Sequence, residues 1–460
     1  MKQRLEIKNF GPLRKVNLDI DDYMVFIGPN AAGKSTIAKL VYFFRSLEFF
    51  KNNLNIILDI TGKDFEANIY EVAEDTIKKQ FRLFWDIEAL QDNFTVLFYP
   101  EYDKKDSKRL FVRLKKSSLV NLSIEWSKHF RDVINKQIDS IRQDYLKNIK
   151  GKSVLENENQ YSRMFLLEIF GIIDRFFTST YKSFFIPAGR QILSLPTDNM
   201  PLFNEGRFDY LTGNFMSFVK VHKSFFNVYI DEFKEQTIRD VRKEFDRLNK
   251  NKKFNNLKIN DKTLDLTCQL IDKILKGKYL CTREGEHIYL NKKQFVKLYE
   301  ASSGQQEVLW ILNIVLLLMP TVERVPLLKL PKYKLVVIEE PEAHLFPETQ
   351  RDITNLISLL ANQKNQQVIV TTHSPYILTA LNNLLYARKL GKNKPAETAA
   401  KINPLLWVDD QRLAVYLVEN GTCRDIIDHE LEMISTEEID RVSRIINGEF
   451  DYLFDLKYSQ

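Results

Sequence analysis

"MVFIGPNAAGKSTIAKLVYFF", Met24 to Phe44, is the stretch that decides the fold. Four apolar residues, Met24 to Ile27, read as a short buried strand. They run into Gly28-Pro29-Asn30-Ala31-Ala32-Gly33-Lys34-Ser35, and a helix follows. This is the spacing G-x-x-x-x-G-K-[ST] in a strand–loop–helix context. Gly28 and Gly33 let the backbone curl so that successive N–H groups point inward at phosphate oxygens. The helix N-terminus adds partial positive charge. Lys34 is placed to reach the outer phosphates of a nucleotide, and Ser35 to give its hydroxyl to Mg²⁺. Asn30 and Thr36, within and just after the loop, complete the expected nucleotide-binding set with Gly28, Gly33, Lys34 and Ser35.

A second stretch answers the first. "LVVIEEPEAHLFP", Leu335 to Pro347, is an apolar strand ending in two adjacent carboxylates, Glu339 and Glu340. Unpaired charge beside an apolar core costs several kcal/mol, as an order of magnitude, so the pair needs a cationic partner. A nucleotide-bound Mg²⁺ supplies one: Glu339 is expected to hold the metal, through water, and Glu340 to orient or deprotonate the attacking water. The commoner residue in the first position is aspartate. A third apolar run, Val368 to Val370 in "QQVIVTTHSPYIL", ends at Thr371-Thr372-His373-Ser374. His373 there could meet the outer phosphate through a ring nitrogen. Three continuous apolar strands with polar C-terminal ends predict a parallel sheet buried on both faces, with its ligand at that edge.

Between the loop and the glutamates lies "YEASSGQQEVLWILNIVLLLM". Ala301-Ser302-Ser303-Gly304-Gln305 precedes a long apolar helix, expected to start near Glu307. Taken alone, such a turn is a helix cap; with glycine and small polar residues at a helix N-terminus it is also a second anion site.

With these residues in hand the chain resembles the ABC-type ATPases. "SSGQQ" looks like their signature motif; "IEEPEAHLFP" and "TTHSP" look like the versions in RecF-like and OLD-like ATPases. "LEIKNFGPL" (Leu5–Leu13) and "FIPAGRQ" (Phe185–Gln191) fit the same group. The resemblance implies an α/β P-loop NTPase with an ABC-type head: a mixed or parallel sheet flanked by helices, with an inserted helical subdomain. It implies ATP and Mg²⁺ as ligands. It also implies two heads packed head to tail, as a dimer or higher oligomer, each nucleotide held by Lys34 and Ser35 of one subunit and by Ser302 and Gly304 of the other. Arg190 or Gln191 would sense the outer phosphate. The insertion is too short for SMC arms and carries no Cys-x-x-Cys hook. After His373 the 87 remaining residues show no TOPRIM pattern, so any nuclease is expected on a separate chain. Stand-alone ATPases of this kind occur in PARIS-like and Septu-like antiphage systems. The implied function is therefore an ATP-hydrolysing switch controlling a separate effector; the alternative is a RecF-like DNA-binding repair ATPase that acts without one.

Composition sets the frame. The 460 residues are 44% hydrophobic with only 15 glycines and 14 prolines, enough for a large core and few long linkers. The net charge is +6, yet residues 419–460 carry eleven acidic and four basic side chains, which leaves +13 on the rest. Basic runs from Lys104 to Lys152 and Lys234 to Lys258 suggest a polyanionic partner, possible nucleic acid included, against the plainer reading of solvated helix faces. Cys268, Cys281 and Cys423 form no paired spacing, which fits a reducing cytoplasm. No run is long enough to span a bilayer. The expected divisions are residues 1–125 (phosphate-loop lobe), 126–264 (helical insertion, with 185–191 returning to the head), 265–415 (signature and glutamate lobe) and 416–460 (acidic helical tail). In that tail a strand at Leu413–Leu417 precedes helices, the last with a capping box at Ser435–Glu438 and an end at Gly448.

Overall fold

The computed structural model describes residues 2–47, 69–102, 110–116, 122–148, 164, 167–174, 177, 182–194, 209–230, 261–282, 285–291, 293–319, 333–364 and 366–458. The chain begins with β1 (Lys2–Phe10), β2 (Leu13–Ile20), β3 (Tyr23–Ile27) and α1 (Lys34–Arg45). Then come α2 (Ile69–Phe84), β4 (Thr95–Tyr102), β5 (Val112–Lys116), β6 (Leu122–Trp126) and α3 (Lys128–Asn148). Next are β7 (Lys182–Ile186), α4 (Tyr210–Ile230), α5 (Asp261–Leu275), β8 (Lys278–Thr282), β9 (Gly285–Tyr289) and β10 (Phe295–Lys297). The second half holds α6 (Ser303–Leu318), β11 (Tyr333–Glu339), α7 (Pro347–Ala361), β12 (Gln367–Thr372), α8 (Pro375–Gly391) and α9 (Pro395–Lys401). It closes with β13 (Leu413–Glu419), β14 (Thr422–Asp425), β15 (Ile427–Asp428), β16 (Met433–Ile434) and α10 (Thr436–Tyr458).

Eleven strands form one mixed sheet in the order β6-β5-β4-β1-β2-β14-β13-β3-β12-β11-β7. Its outer part, β6 to β2, is antiparallel; β13, β3, β12, β11 and β7 run parallel. This is the α/β P-loop NTPase architecture expected from the sequence. The parallel strands are apolar along their middles because both faces are covered. On β3, Val25 and Ile27 face one core while Met24 and Phe26 face the other; β11 splits likewise between Val336, Ile338 and Leu335, Val337. The first core is filled by α6, whose residues from Glu307 to Leu318 are all buried, with Trp310 wholly so. The second core is aromatic: Phe43 meets Phe44, Phe81, Phe84 and Trp85 edge-on, and Phe44 stacks on Phe98 at 4.6 Å. Such ring pairs contribute about 0.5–1.5 kcal/mol each beyond their burial.

The structure differs from the sequence expectation in four places. The signature helix α6 starts at Ser303, not near Glu307, because Ser302 and Gln305 close a capping box. The strand expected at Leu413–Leu417 runs two residues further, to Glu419, since residues Leu413 to Val418 are buried beside β3. Hairpins, not helices, then fill 422–434. The last helix does not end at Gly448 but continues to Tyr458. An exposed mid-helix glycine costs only about 1 kcal/mol, and the i,i+4 ring contacts Phe450–Phe454 and Phe454–Tyr458 support the next turns. Of the basic runs, residues 128–148 are helical in α3, while Lys234 to Lys258 lies outside the described residues. No described helix is long and apolar enough to cross a membrane.

Candidate active site

The phosphate loop leaves the C-terminal end of β3 and is shaped by what lies beneath it. Gly28 has φ 152°, and a Cβ there would sit 2.0 Å from the Val418 carbonyl oxygen of β13. Only glycine tolerates so close a backbone. Gly33 opens α1 at φ 105° with no side-chain cap, and no acidic residue lies in the first turn. The first N–H groups of α1 are therefore left to an anionic ligand.

Lys34 is 5% exposed and folds back over its own loop. Its ammonium donates to Gly28 O (2.9 Å) and Pro29 O (2.8 Å), and lies 3.1 Å from His373 Nδ1. The same Nδ1 lies 3.1 Å from the Gly28 carbonyl oxygen, and Nε2 lies 2.8 Å from Glu340 Oε1. Burial pushes the Lys34 pKa below the usual lysine value, and the charges of Glu340 and Glu342 pull it partly back.

One pocket is lined by Pro12, Asn30, Ala31, Ala32, Gly33, Lys34, Ser35, Thr36, Glu340 and His373. Most of the expected site residues therefore converge, from three parallel strand ends. Glu339 lies just below, 6% exposed. Its Oε2 accepts from Ala188 N at 3.4 Å, and its buried Oε1 has no hydrogen-bond partner. A buried carboxylate oxygen left bare costs on the order of 1–3 kcal/mol or more, so this atom suits a hydrated divalent cation. The uncapped α1 terminus, the folded-back ammonium and the bare Glu339 oxygen together fit a Mg²⁺-nucleotide. Among the described residues no group of three His, Cys, Asp or Glu side chains forms a separate metal cluster; a phosphate-loop site needs only one acid, one hydroxyl and the phosphates themselves.

Other expected residues lie elsewhere. Ser302 and Gly304 open α6 outside this pocket, Ser302 exposed and bonded to Gln305. A Cβ on Gly304 would sit 2.7 Å from His344 O, so the turn packs on the loop after β11. Arg190 does not face the pocket. It is 1% exposed and turned inward, its guanidinium donating to the carbonyls of Pro187 (2.5 Å), Glu339 (2.7 Å), Glu340 (3.1 Å) and Glu307 (3.1 Å). Its backbone N–H donates to Glu307 Oε2 at 3.1 Å, and Nε lies 3.4 Å from that oxygen. Burial pushes its pKa below the usual arginine value, with Glu307 the strongest opposing charge. Gln191 is exposed and outside the pocket lining. Neither residue reaches the phosphate-loop side, because the short helix Arg190–Ser194 packs against α6.

Glu342 has a larger part than its sequence context suggested. Its Oε1 accepts from Thr372 Oγ1 (2.6 Å) and from His373 N (2.7 Å), fixing the end of β12 that carries His373. The signal was visible as a third carboxylate in "EEPE" facing the hydroxyls of "TTHS", but only the parallel β11–β12 register brings the two together.

Residues 1–378 match the AAA ATPase domain family. No curated protein is significantly similar in sequence. Among solved structures, an SMC head domain from Thermotoga maritima is 12% identical over 92% of this chain and 98% of that one, with a TM-score of 0.34. An Smc head bound to the C-terminal winged-helix domain of ScpA is 12% identical over 92% and 96%, with a TM-score of 0.39. A Pyrococcus furiosus Smc head with an extended coiled coil, bound to the C-terminal domain of ScpA, is 12% identical over 97% and 99%, with a TM-score of 0.36.

Proposed function

Since the chain belongs to the AAA ATPase domain family, we propose that it binds and hydrolyses ATP with Mg²⁺, and that the cycle closes and opens a head-to-tail dimer controlling a separate effector. The observation that carries the chemistry is the chain of contacts Lys34–His373–Glu340 across the mouth of the phosphate loop. Lys34 leaves its loop carbonyls to hold the outer phosphates. The backbone N–H groups from Ala31 to Ser35 hold the inner ones. Ser35 and Glu339 would hold Mg²⁺, whose charge offsets that developing on the transferred phosphoryl group. Glu340 takes the proton of the attacking water, and His373, bonded to its Oε1, keeps the carboxylate aimed. The proton moves to Glu340 as the water oxygen bonds phosphorus and the bond to ADP breaks.

The dimer reading is supported by the place of the Ser302 turn: exposed, outside its own chain's pocket, and next to Phe346, which is 75% exposed two residues beyond His344. A large exposed aromatic beside an anion-type turn suits a protein interface. The resemblance to RecF-like and OLD-like ATPases supports a cytoplasmic sensor role in antiphage defence. The exposed apolar side chains of α10, such as Phe450, Leu453 and Phe454 at 51–63% exposure, support docking of an effector, for example a nuclease.

The test combines two variants. Lys34→Ala should lose nucleotide binding. Glu340→Gln should keep binding and lose about 10²–10³-fold in hydrolysis, the range for loss of a catalytic proton acceptor or charge-stabilising group. Unimpaired turnover in Glu340→Gln would remove it as the base. Capture from the native host with Glu340→Gln, which holds the closed form, should bring a second protein; recovery of nucleic acid without one would favour the RecF-like reading.

A further inference from the structure

We propose that Arg190 is a positioning residue that sets the backbone at Glu339–Glu340 and ties it to α6, so that Glu340 and the Ser302 turn of the same chain move as one body. The inference rests on the reading of Glu340 as the hydrolytic base. Glu340 has φ 43°, a left-handed conformation that glutamate rarely adopts, at the point where β11 turns into the loop. Something must hold that turn. Arg190 Nη1 binds the carbonyl before it, at Glu339, and Nη2 the carbonyl of Glu340 itself. The same planar group reaches Glu307 of α6 through Nε, and Glu307 answers by accepting from the Arg190 backbone N–H. Ala188, two residues before, donates to the Glu339 side chain. A second bolt joins the same two parts, the packing of Gly304 on the His344 carbonyl. The signature helix, the loop after β7 and the end of the glutamate strand are thus fastened through one buried side chain.

The arrangement also says what Arg190 does not do. It is absent from the pocket lining, and none of its partners belongs to the phosphate loop. Its loss should disturb where Glu340 points and leave the Lys34 contacts to nucleotide alone. Lysine cannot replace it, because three donors on one nitrogen cannot span carbonyls on three separate elements as a planar guanidinium does. When nucleotide held by a partner copy loads the Ser302 turn, the Glu307–Arg190 link carries that displacement to Glu340.

The experiment measures turnover, equilibrium affinity for a fluorescent ATP analogue and thermal midpoint for the intact protein, Arg190→Lys and Glu307→Gln. Arg190→Lys should lower kcat about ten-fold or more with affinity within about three-fold, since small misplacement of a catalytic group costs up to roughly 10²-fold. Glu307→Gln keeps an acceptor oxygen but not the charge, and should fall between the two. Hydrogen exchange supplies the coupling: in the intact protein ATP should protect 302–307 and 339–343 together, and in Arg190→Lys only the first. Normal kcat in Arg190→Lys, or kcat and affinity falling together with the midpoint in both variants, overturns the proposal. Failure of the intact protein to hydrolyse ATP, or normal turnover in Glu340→Gln, would instead overturn the underlying reading.

Discussion

Lys34 shows how one side chain can stabilise the loop it will later leave. Its ammonium is desolvated and satisfied by two loop carbonyls and an imidazole, contacts that phosphate oxygens would take over in the proposed function. Because burial lowers its pKa from the usual lysine value, the charge needed to hold phosphate is lost at lower pH than for a solvated lysine. Nucleotide affinity should therefore fall with rising pH within the alkaline range, beginning before the ordinary lysine titration near 10.4. Binding isotherms between pH 7 and 10 read this directly; an affinity flat to pH 10 would place the binding charge elsewhere. At this scale the sequence was most informative where chemistry is local. Lys34 and Ser35 open the helix after β3, and Glu340 and His373 directly follow β11 and β12; a polar residue at such a junction is readable without a partner. Arg190 is the opposite case. Three of the four carbonyls its guanidinium meets lie on other segments, and no residue pattern announces a carbonyl.

At the scale of elements, β13 and β14 are less dispensable than an acidic C-terminal segment suggests. Gly421 O accepts from Arg14 N (2.8 Å) and Lys15 N (3.1 Å), and Arg14 Nε donates to Asn420 O (2.9 Å). The hairpin thus joins the antiparallel half of the sheet to the parallel half. Helix α10 is different: from Arg444 to Tyr458 every residue is exposed. A chain ending at Ser435 should keep its thermal midpoint within a few degrees and its nucleotide affinity unchanged. One ending at Val418 loses those bonds, about 1 kcal/mol each before any burial is counted, and should melt earlier and bind nucleotide weakly. Equal behaviour of the two truncations would show that the hairpin is not part of the site's foundation. The strand at Leu413 was legible from its apolar run. The extent of α10 was not, because glycine as a stop signal is a local rule that ring contacts one turn apart outweigh.

In the whole molecule, a single sheet divides two cores and gathers the C-terminal ends of β3, β11 and β12 at one edge. The Ser302 turn belongs to the same body yet stays outside the pocket, which is the geometric ground for expecting a second copy. Ser302→Arg should bind ATP and fail to hydrolyse it, while Lys34→Ala should fail at both. Mixed in equal amounts they should regain up to about a quarter of normal turnover, since half the dimers are mixed and each holds one intact composite site. Normal hydrolysis by Ser302→Arg alone would reduce the turn to a helix cap. The sheet also places β3 directly beside β13, joined at their entry by Arg412 and Asp22, 390 positions apart. During synthesis, at about 5–20 residues per second, roughly 20–80 s separate the emergence of the phosphate loop from that of the strand whose Val418 carbonyl underlies Gly28. Through that interval the nascent chain carries the complete loop sequence without its floor, so ribosome-bound chains cannot yet take up nucleotide as the finished protein does.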